Sequence, residues 1–177
     1  MEIATKVTEV RLDDPAAFRA FYAEALPIVF SYLYHRVGGR RAIAEDLTQE
    51  TFMGAVREIN TRADVQAPVP WVMGIAKHKL LDHYRREERE ERRLALAYSA
   101  QTTEAWPDPA DTPDADIVDA LGRIPAAQRA ALAMRYLDAL PVPEVAYVLG
   151  RSVHATESLL ARGRVSFRRA LVEARDD

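Results

Sequence analysis

Three groups of side chains in this 177-residue sequence could bind a partner or carry out chemistry. The first lies on segment 42–59, where Asp46, Gln49, Glu50 and Met53 recur at spacings of three and four residues. A helix brings residues at these spacings to one face, so two acids, an amide and a methionine share a solvent-facing strip. This acidic strip is either merely solvated or a docking site for a basic helix.

The second group is an aromatic and basic face on segment 70–91. Apolar residues such as Val72, Ala76 and Leu80 cluster on one side of this predicted helix. The opposite side carries an aromatic ring that can stack on bases and basic side chains that can contact phosphates. That side either binds a strand of nucleic acid or is merely solvated. The opposite side consists of Trp71, His78, Leu81, Asp82, Arg85 and Arg89.

The same segment, 70–91, could also hold a metal ion. His78 and Asp82 are four residues apart, but His83 projects about 100° away from Asp82 on a helix. No further histidine stands with an acid at ligand spacing, the chain contains no cysteine, and its seven glycines are too dispersed for a phosphate-binding loop. We therefore expect no metal, no cofactor and no catalytic site.

The third group lies near the C-terminus and has the form of a helix-turn-helix. A short helix ends at Gly150, and Ser152 is the predicted N-cap of a longer one. The buried stripe of the longer helix is predicted to be Val153, Thr156, Leu160, Gly163, Phe167 and Leu171. Its outward residues are predicted to be His154, Ala155, Glu157, Ser158, Leu159, Ala161 and Arg162, with Arg151, Arg164, Arg168 and Arg169 in reach of phosphates.

Apolar periodicity and capping signals predict an all-α fold that positions these groups. Pro27 should kink or split the first helix, and Thr61–Pro70 should be a loop. The predicted helices span 15–37, 41–60, 70–91, 116–124, 125–137, 143–149 and 153–174.

Charge and proline content divide the chain into two small helical domains joined by a flexible acidic linker. Residues 91–120 carry 2 basic against 7 acidic side chains, and three prolines fall between 93 and 116. Residues 121–177 carry 9 basic against 6 acidic side chains, which favours nucleic-acid binding by the C-terminal module.

The location in the cell is also constrained by the sequence. The first residues lack the basic and apolar regions of a signal peptide, and the longest apolar run, 25–34, is too short to span a bilayer. We expect a cytoplasmic protein without membrane insertion.

Three segments resemble the sigma factors of bacterial RNA polymerase, in the order in which that family has them. AEDLTQETF is similar to the polymerase-binding helix, and PWVMGIAKHKLLDHYRR is similar to the helix that reads the −10 element, with His78 where asparagine is usual. IPAAQRAALAMRYLDALPVPEVAYVLGRS resembles the domain that reads the −35 element. Arg129, Arg135, Tyr136, Glu144, Val145, Ala146, Leu149 and Gly150 occupy its motif positions, whereas Glu157 and Leu159 replace two cations of the reading helix.

This resemblance implies a small sigma factor of the extracytoplasmic-function (ECF) type. Residues 14–91 would be the region-two domain, 92–115 the linker and 116–174 the region-four helix-turn-helix domain. The implied partners are core RNA polymerase, through its β′ clamp helices and β flap, and promoter DNA, with an anti-sigma factor as a possible regulator. The implied polymerase-binding residues are Asp46, Gln49, Glu50 and Met53; those for the −10 element are Asn60, Arg62, Trp71, Lys77, His78 and Arg85; those for the −35 element are Glu157, Ser158, Leu159, Arg162, Arg164 and Arg168.

Two other interpretations use the same helices. A helix-turn-helix transcriptional repressor with a helical N-terminal domain would bind duplex operator alone as a two-fold dimer. A helical adaptor would not touch DNA at all. A requirement for core polymerase distinguishes the sigma factor from both.

Overall fold

The computed structural model describes residues 10–60, 64–97 and 115–176. Within these ranges the fold is all-α, as predicted, and the C-terminal part contains the predicted helix-turn-helix. A π-helical turn, Ala133–Leu137, continues the fifth helix. The helices are α1 (Pro15–Arg36), α2 (Arg41–Ile59), α3 (Pro68–Ala97), α4 (Ala115–Gly122), α5 (Ala126–Leu132), α6 (Val142–Leu149) and α7 (Val153–Asp176).

Several boundaries differ from the sequence predictions. Pro27 lies inside α1 without splitting it. The predicted loop 61–70 contains β2 (Asp64–Val65), which pairs antiparallel with β1 (Val10–Arg11). α3 continues past residue 91 into the predicted linker, as far as Ala97, because intrahelical ion pairs such as Arg92 with Glu88 support its last turns. Residues 98–114 of that linker lie outside the described residues.

The chain forms two compact units, and the first comprises Met1–Leu33 and Ala42–Leu80. Its core joins the apolar faces of α1, α2 and α3. The ring of Tyr22, itself 39% exposed, lies 4.7 Å from that of Phe52 at the edge of this core. Val56 stands four residues after Phe52 and three before Ile59, a spacing that predicts a place on the apolar side of α2, and this prediction was wrong, because Val56 is 43% exposed. Thr48 and Thr51 are buried instead, and each hydroxyl donates to a carbonyl of its own helix at 2.7 Å, so neither is left unsatisfied.

The second unit comprises Tyr34–Arg41 and Leu81–Asp177. In it α7 packs against α4, α5 and α6. The corner after α1 approaches the end of α4 so closely that a Cβ on Gly38 would lie 2.4 Å from the backbone of Gly122. Gly38 also has φ near +68°, in the left-handed region. Both the close backbone approach and this conformation therefore require glycine at the corner.

The buried stripe of α7 is rotated from its predicted position. Leu159 is 4% exposed and Ala170 is 5% exposed, whereas Val153 is 43% exposed. Thr156, at 0% exposure, lies at the centre of the stripe. Leu159 lies about 60° to one side of Thr156 and is covered, whereas Val153 lies about 60° to the other side and is not, although Leu160, at about 40° on that second side, is still only 3% exposed. The expectation that Leu159 faces out was therefore wrong.

Candidate protein and nucleic-acid interfaces

The acidic strip lies on the surface of α2, in the first unit. Asp46, Gln49 and Met53 are exposed, Met53 at 49%. Glu50 differs from them, because its Oε2 atom lies 3.5 Å from Lys79 Nζ of α3. Three members of the strip are thus available to a partner, and the fourth already has an intramolecular partner.

Trp71, in the first turns of α3, is held by contacts that sequence reasoning missed. Its Nε1 donates to Glu58 Oε2 at 3.1 Å, and its ring centroid lies 6.3 Å from that of Phe21. The ring is half-buried, so only part of it is available to stack on a base. Glu58, in the last turn of α2, lies 13 residues before Trp71, a separation that no helical pattern could have linked.

The other residues predicted to bind the −10 element are placed as follows. Asn60, Lys77 and His78 are exposed in the first unit, and Arg62 lies outside the described residues. Arg85 belongs to the second unit, where its guanidinium donates to the carbonyl of Val148 at 3.1 Å. Arg85 is therefore already engaged by the helix-turn-helix module.

Local capping sets the angle at which α7 leaves the helix-turn-helix turn. Gly150 ends α6 with φ 64°, a left-handed conformation, and the Arg151 amide donates back to the Ala146 carbonyl at 2.9 Å. Ser152 Oγ accepts from the Ala155 amide at 3.2 Å, as expected of an N-cap. Both caps were predicted from the sequence and are confirmed.

The exposed side of α7 carries most of the residues predicted to bind the −35 element. Arg164 Nη1 lies 3.4 Å from the hydroxyl of Tyr136, which extends from the π-helical turn. Leu159 is buried and so cannot meet a base edge. The exposed residues are Glu157, Ser158, Arg162, Arg164 and Arg168.

Glu87 is the centre of an ion-pair cluster in the second unit that sequence reasoning missed. It accepts from Arg40 and, at 2.6 Å, from Arg129 Nη2, and His83 Nε2 lies 3.2 Å away. Arg129 is 2% exposed, and its Nη1 also reaches three carbonyls at and just after the end of α4, the nearest being that of Ile124 at 3.2 Å.

The charge state of Glu87 follows from this cluster. Burial raises the pKa of the Glu87 carboxyl, but the close approach of His83, a hydrogen bond from Arg40 and the charges of Arg129 and Arg40 outweigh it. The pKa of Glu87 is held well below its ordinary value. The carboxylate is therefore ionised at neutral pH and neutralises a buried guanidinium.

Comparison with known proteins identifies the family. The model of sigma-70 region 2 matches residues 21–90, and the model of sigma-70 region 4 matches residues 114–166. The chain belongs to the sigma-70 family. The region-2 match contains the acidic strip and Trp71, and the region-4 match contains Glu157 to Arg164.

Two relatives of this sigma-family chain are ECF sigma factors. It is 31% identical over 165 residues to the ECF RNA polymerase sigma factor BldN of Streptomyces coelicolor, with 88% of this chain and 61% of BldN covered. It is 28% identical over 149 residues to the ECF RNA polymerase sigma factor SigF of Caulobacter vibrioides, covering 84% and 82% of the two chains. The chain thus spans about three fifths of the length of BldN.

The described residues contain neither a cluster of metal-ligating side chains nor a membrane-spanning helix. Groups of three or more metal-ligating side chains do not occur in ranges 10–60, 64–97 and 115–176. In the same ranges, no helix is both long and apolar enough to cross a membrane.

Proposed function

We propose that this chain is an ECF-type sigma factor that binds core RNA polymerase and directs transcription initiation from promoters with particular −10 and −35 elements. The observation that carries the proposal is the pair of region-2 and region-4 matches in their family order. In this proposal residues 14–91 and 116–174 are the two functional domains, and the protein acts in the cytoplasm without catalytic activity of its own.

Each surface has a role in this proposal. The acidic strip binds the β′ clamp helices of the polymerase, and the C-terminal module binds promoter DNA and the β flap. Trp71, Asn60, Arg62, Lys77, His78 and Arg85 act at the −10 element; Glu157, Ser158, Arg162, Arg164 and Arg168 act at the −35 element. An anti-sigma factor is a further proposed partner.

Run-off transcription tests the proposal directly. The chain is added to core polymerase on a library of promoter fragments, and transcripts are sequenced. Transcripts that need both the chain and the core enzyme support a sigma factor. A chain that binds one duplex tightly as a dimer and yields no transcript with core polymerase is a repressor instead.

Trp71→Ala is expected to reduce initiation on duplex promoters about tenfold and to leave initiation on a pre-melted bubble nearly unchanged. The reason is that stacking on an unpaired base, about 1–3 kcal/mol per base, offsets the cost of opening the −10 element. Initial transcription rates on duplex and bubble templates measure the difference.

Lys77→Ala is the control for this prediction. Lys77 is exposed on the same helix and has no ring, so its loss should weaken both templates alike by removing a phosphate contact. Equal losses on duplex and bubble for Trp71→Ala would exclude a role in strand opening.

Glu157→Lys is expected to change which −35 sequences are preferred, whereas Arg168→Ala should weaken all of them alike. Glutamate can accept from a cytosine amino group, and one good base contact is worth about 1–3 kcal/mol of discrimination. A phosphate contact carries no sequence information, so losing it lowers the salt slope by about 0.9. Selection from a randomised −35 library and salt titrations measure both effects.

Arg175→Ala is the matched control for Arg168→Ala. Arg175 is exposed near the end of α7, where it lies 3.4 Å from Asp116. Removing Arg175 changes the net charge by the same amount but far from the N-terminal part of α7 that is proposed to read bases, so the salt slope of DNA binding should not change.

An unchanged promoter ranking for Glu157→Lys would show that Glu157 does not read a base.

A further inference from the structure

Three glutamates near the end of α3 contact the C-terminal helices within the second unit. Glu87 Oε1 lies 2.6 Å from Arg129 Nη2, and Glu91 Oε1 accepts from the backbone amide of Ala126 at 2.7 Å. Glu88 pairs with Arg151, which lies in the turn of the helix-turn-helix. We call Glu87, Glu88 and Glu91 the glutamate edge.

Glu88 of the glutamate edge pairs with an arginine that would also contact DNA. Arg151 lies between α6 and α7, where this motif meets the DNA backbone, and its side chain is only 22% exposed in its pair with Glu88. One turn earlier on α3, Arg85 donates to the carbonyl of Val148, three residues before Arg151. Arg151, a predicted phosphate contact at the −35 element, and Arg85, a predicted −10 contact, thus both have intramolecular partners.

We infer that the glutamate edge is an internal competitor of promoter DNA for the helix-turn-helix turn. A carboxylate and a phosphate are both anionic oxygen ligands, and one guanidinium cannot make its strong paired contact with both at once. DNA that reaches Arg151 must therefore displace Glu88. The coupling is reciprocal, so whatever opens the glutamate edge tightens DNA binding, and DNA binding opens the glutamate edge.

This inference rests on the proposed function, because it assumes that the helix-turn-helix binds DNA. The competition concerns phosphates and so acts on any duplex, whatever its sequence. The competition lowers the affinity of the free chain for DNA below the value that its exposed arginines alone would give. Polymerase binding that separates Glu88 from Arg151 would remove the competition.

The test compares two glutamate substitutions on the same helix. Glu88→Ala removes one acid and frees Arg92, its intrahelical partner at 2.7 Å, and it also frees Arg151. Glu90→Ala removes one acid and frees Arg93, its intrahelical partner at 2.6 Å, and among the described residues Glu90 has no other ion-pair partner. Both variants thus lose one charge and one intrahelical pair, and Glu88→Ala also loses the pair with Arg151.

The probe is a fluorescein-labelled 20-base-pair duplex of random sequence, titrated with the full chain at several salt concentrations. Glu88→Ala is expected to bind it about three- to tenfold more tightly than Glu90→Ala at low salt, with a salt slope steeper by about 1. Equal affinities and equal slopes for the two variants would overturn the inference.

A second measurement follows the glutamate edge itself. Ala126 is the first residue of α5, so its amide has no intrahelical acceptor, and it donates to Glu91. Its hydrogen exchange in the parent chain is expected to accelerate when the duplex is added to saturation. Saturation that leaves this exchange rate unchanged would also overturn the inference.

Run-off transcription with the parent chain keeps the two proposals apart. If the parent initiates transcription but Glu88→Ala and Glu90→Ala bind duplex equally, the internal competition is wrong and the sigma function stands. If no transcript forms, the sigma function fails, and the duplex titration still decides whether Glu88 competes with phosphate for Arg151.

Discussion

Glu87→Ala is expected to lower the free energy of unfolding of the second unit by about 3 kcal/mol or more. The substitution leaves the guanidinium of Arg129, 2% exposed, without its counterion, and removing one partner of a buried ion pair costs about 3–5 kcal/mol. Urea unfolding followed by circular dichroism measures the loss.

Glu90→Ala is the control for this substitution. Glu90 lies on the same helix, and within ranges 10–60, 64–97 and 115–176 its one ion-pair partner is Arg93, three residues later, on the exposed surface. Exposed pairs of this kind contribute little, so its variant should unfold close to the parent. A loss for Glu87→Ala no larger than that for Glu90→Ala would show that the cluster does not stabilise the fold.

The same cluster predicts how stability depends on pH. The folded pKa of Glu87 is depressed, so its contribution is fully present above the unfolded pKa, about 4.3, and is lost as the pH falls toward the lower folded value. The parent should therefore lose stability below about pH 4.3, and Glu87→Ala should lose less over that interval. Parallel pH profiles for the two proteins would contradict this assignment.

Asp46→Arg is expected to weaken binding to core polymerase at least about tenfold. Asp46 is exposed beside Met53 on the acidic strip, and a reversed charge replaces attraction by repulsion wherever the partner is basic. Adding Glu50→Arg should deepen the defect, although that change also breaks the pair with Lys79. Titration of labelled core polymerase measures each affinity and its dependence on salt.

Glu24→Arg is the matched control for Asp46→Arg. Glu24 is exposed on α1 in the same unit, so its reversal changes the net charge equally and leaves the acidic strip intact. Its affinity for core polymerase should stay near that of the parent. Undiminished binding by the Asp46→Arg, Glu50→Arg double variant would remove the acidic strip from the interface.

The sequence by itself determined what depends on residues close together along the chain. The helices, the left-handed end of α6 at Gly150 and the N-cap at Ser152 follow from local capping and apolar spacing. Exposure of Asp46, Gln49 and Met53 follows from the period of α2. The sigma family was also readable, because its motifs are contiguous segments.

Only the tertiary structure decided which polar groups find partners inside the protein. Glu87 meets Arg129 across 42 residues, and Glu88 meets Arg151 across 63 residues. Helical periodicity states which face of α3 is polar but not which cation another helix brings to it. The same limit explains why Leu159 is buried although it was expected to be exposed. A sequence pattern indicates how wide a buried stripe is, but the neighbouring helices determine which residues at its edges are covered.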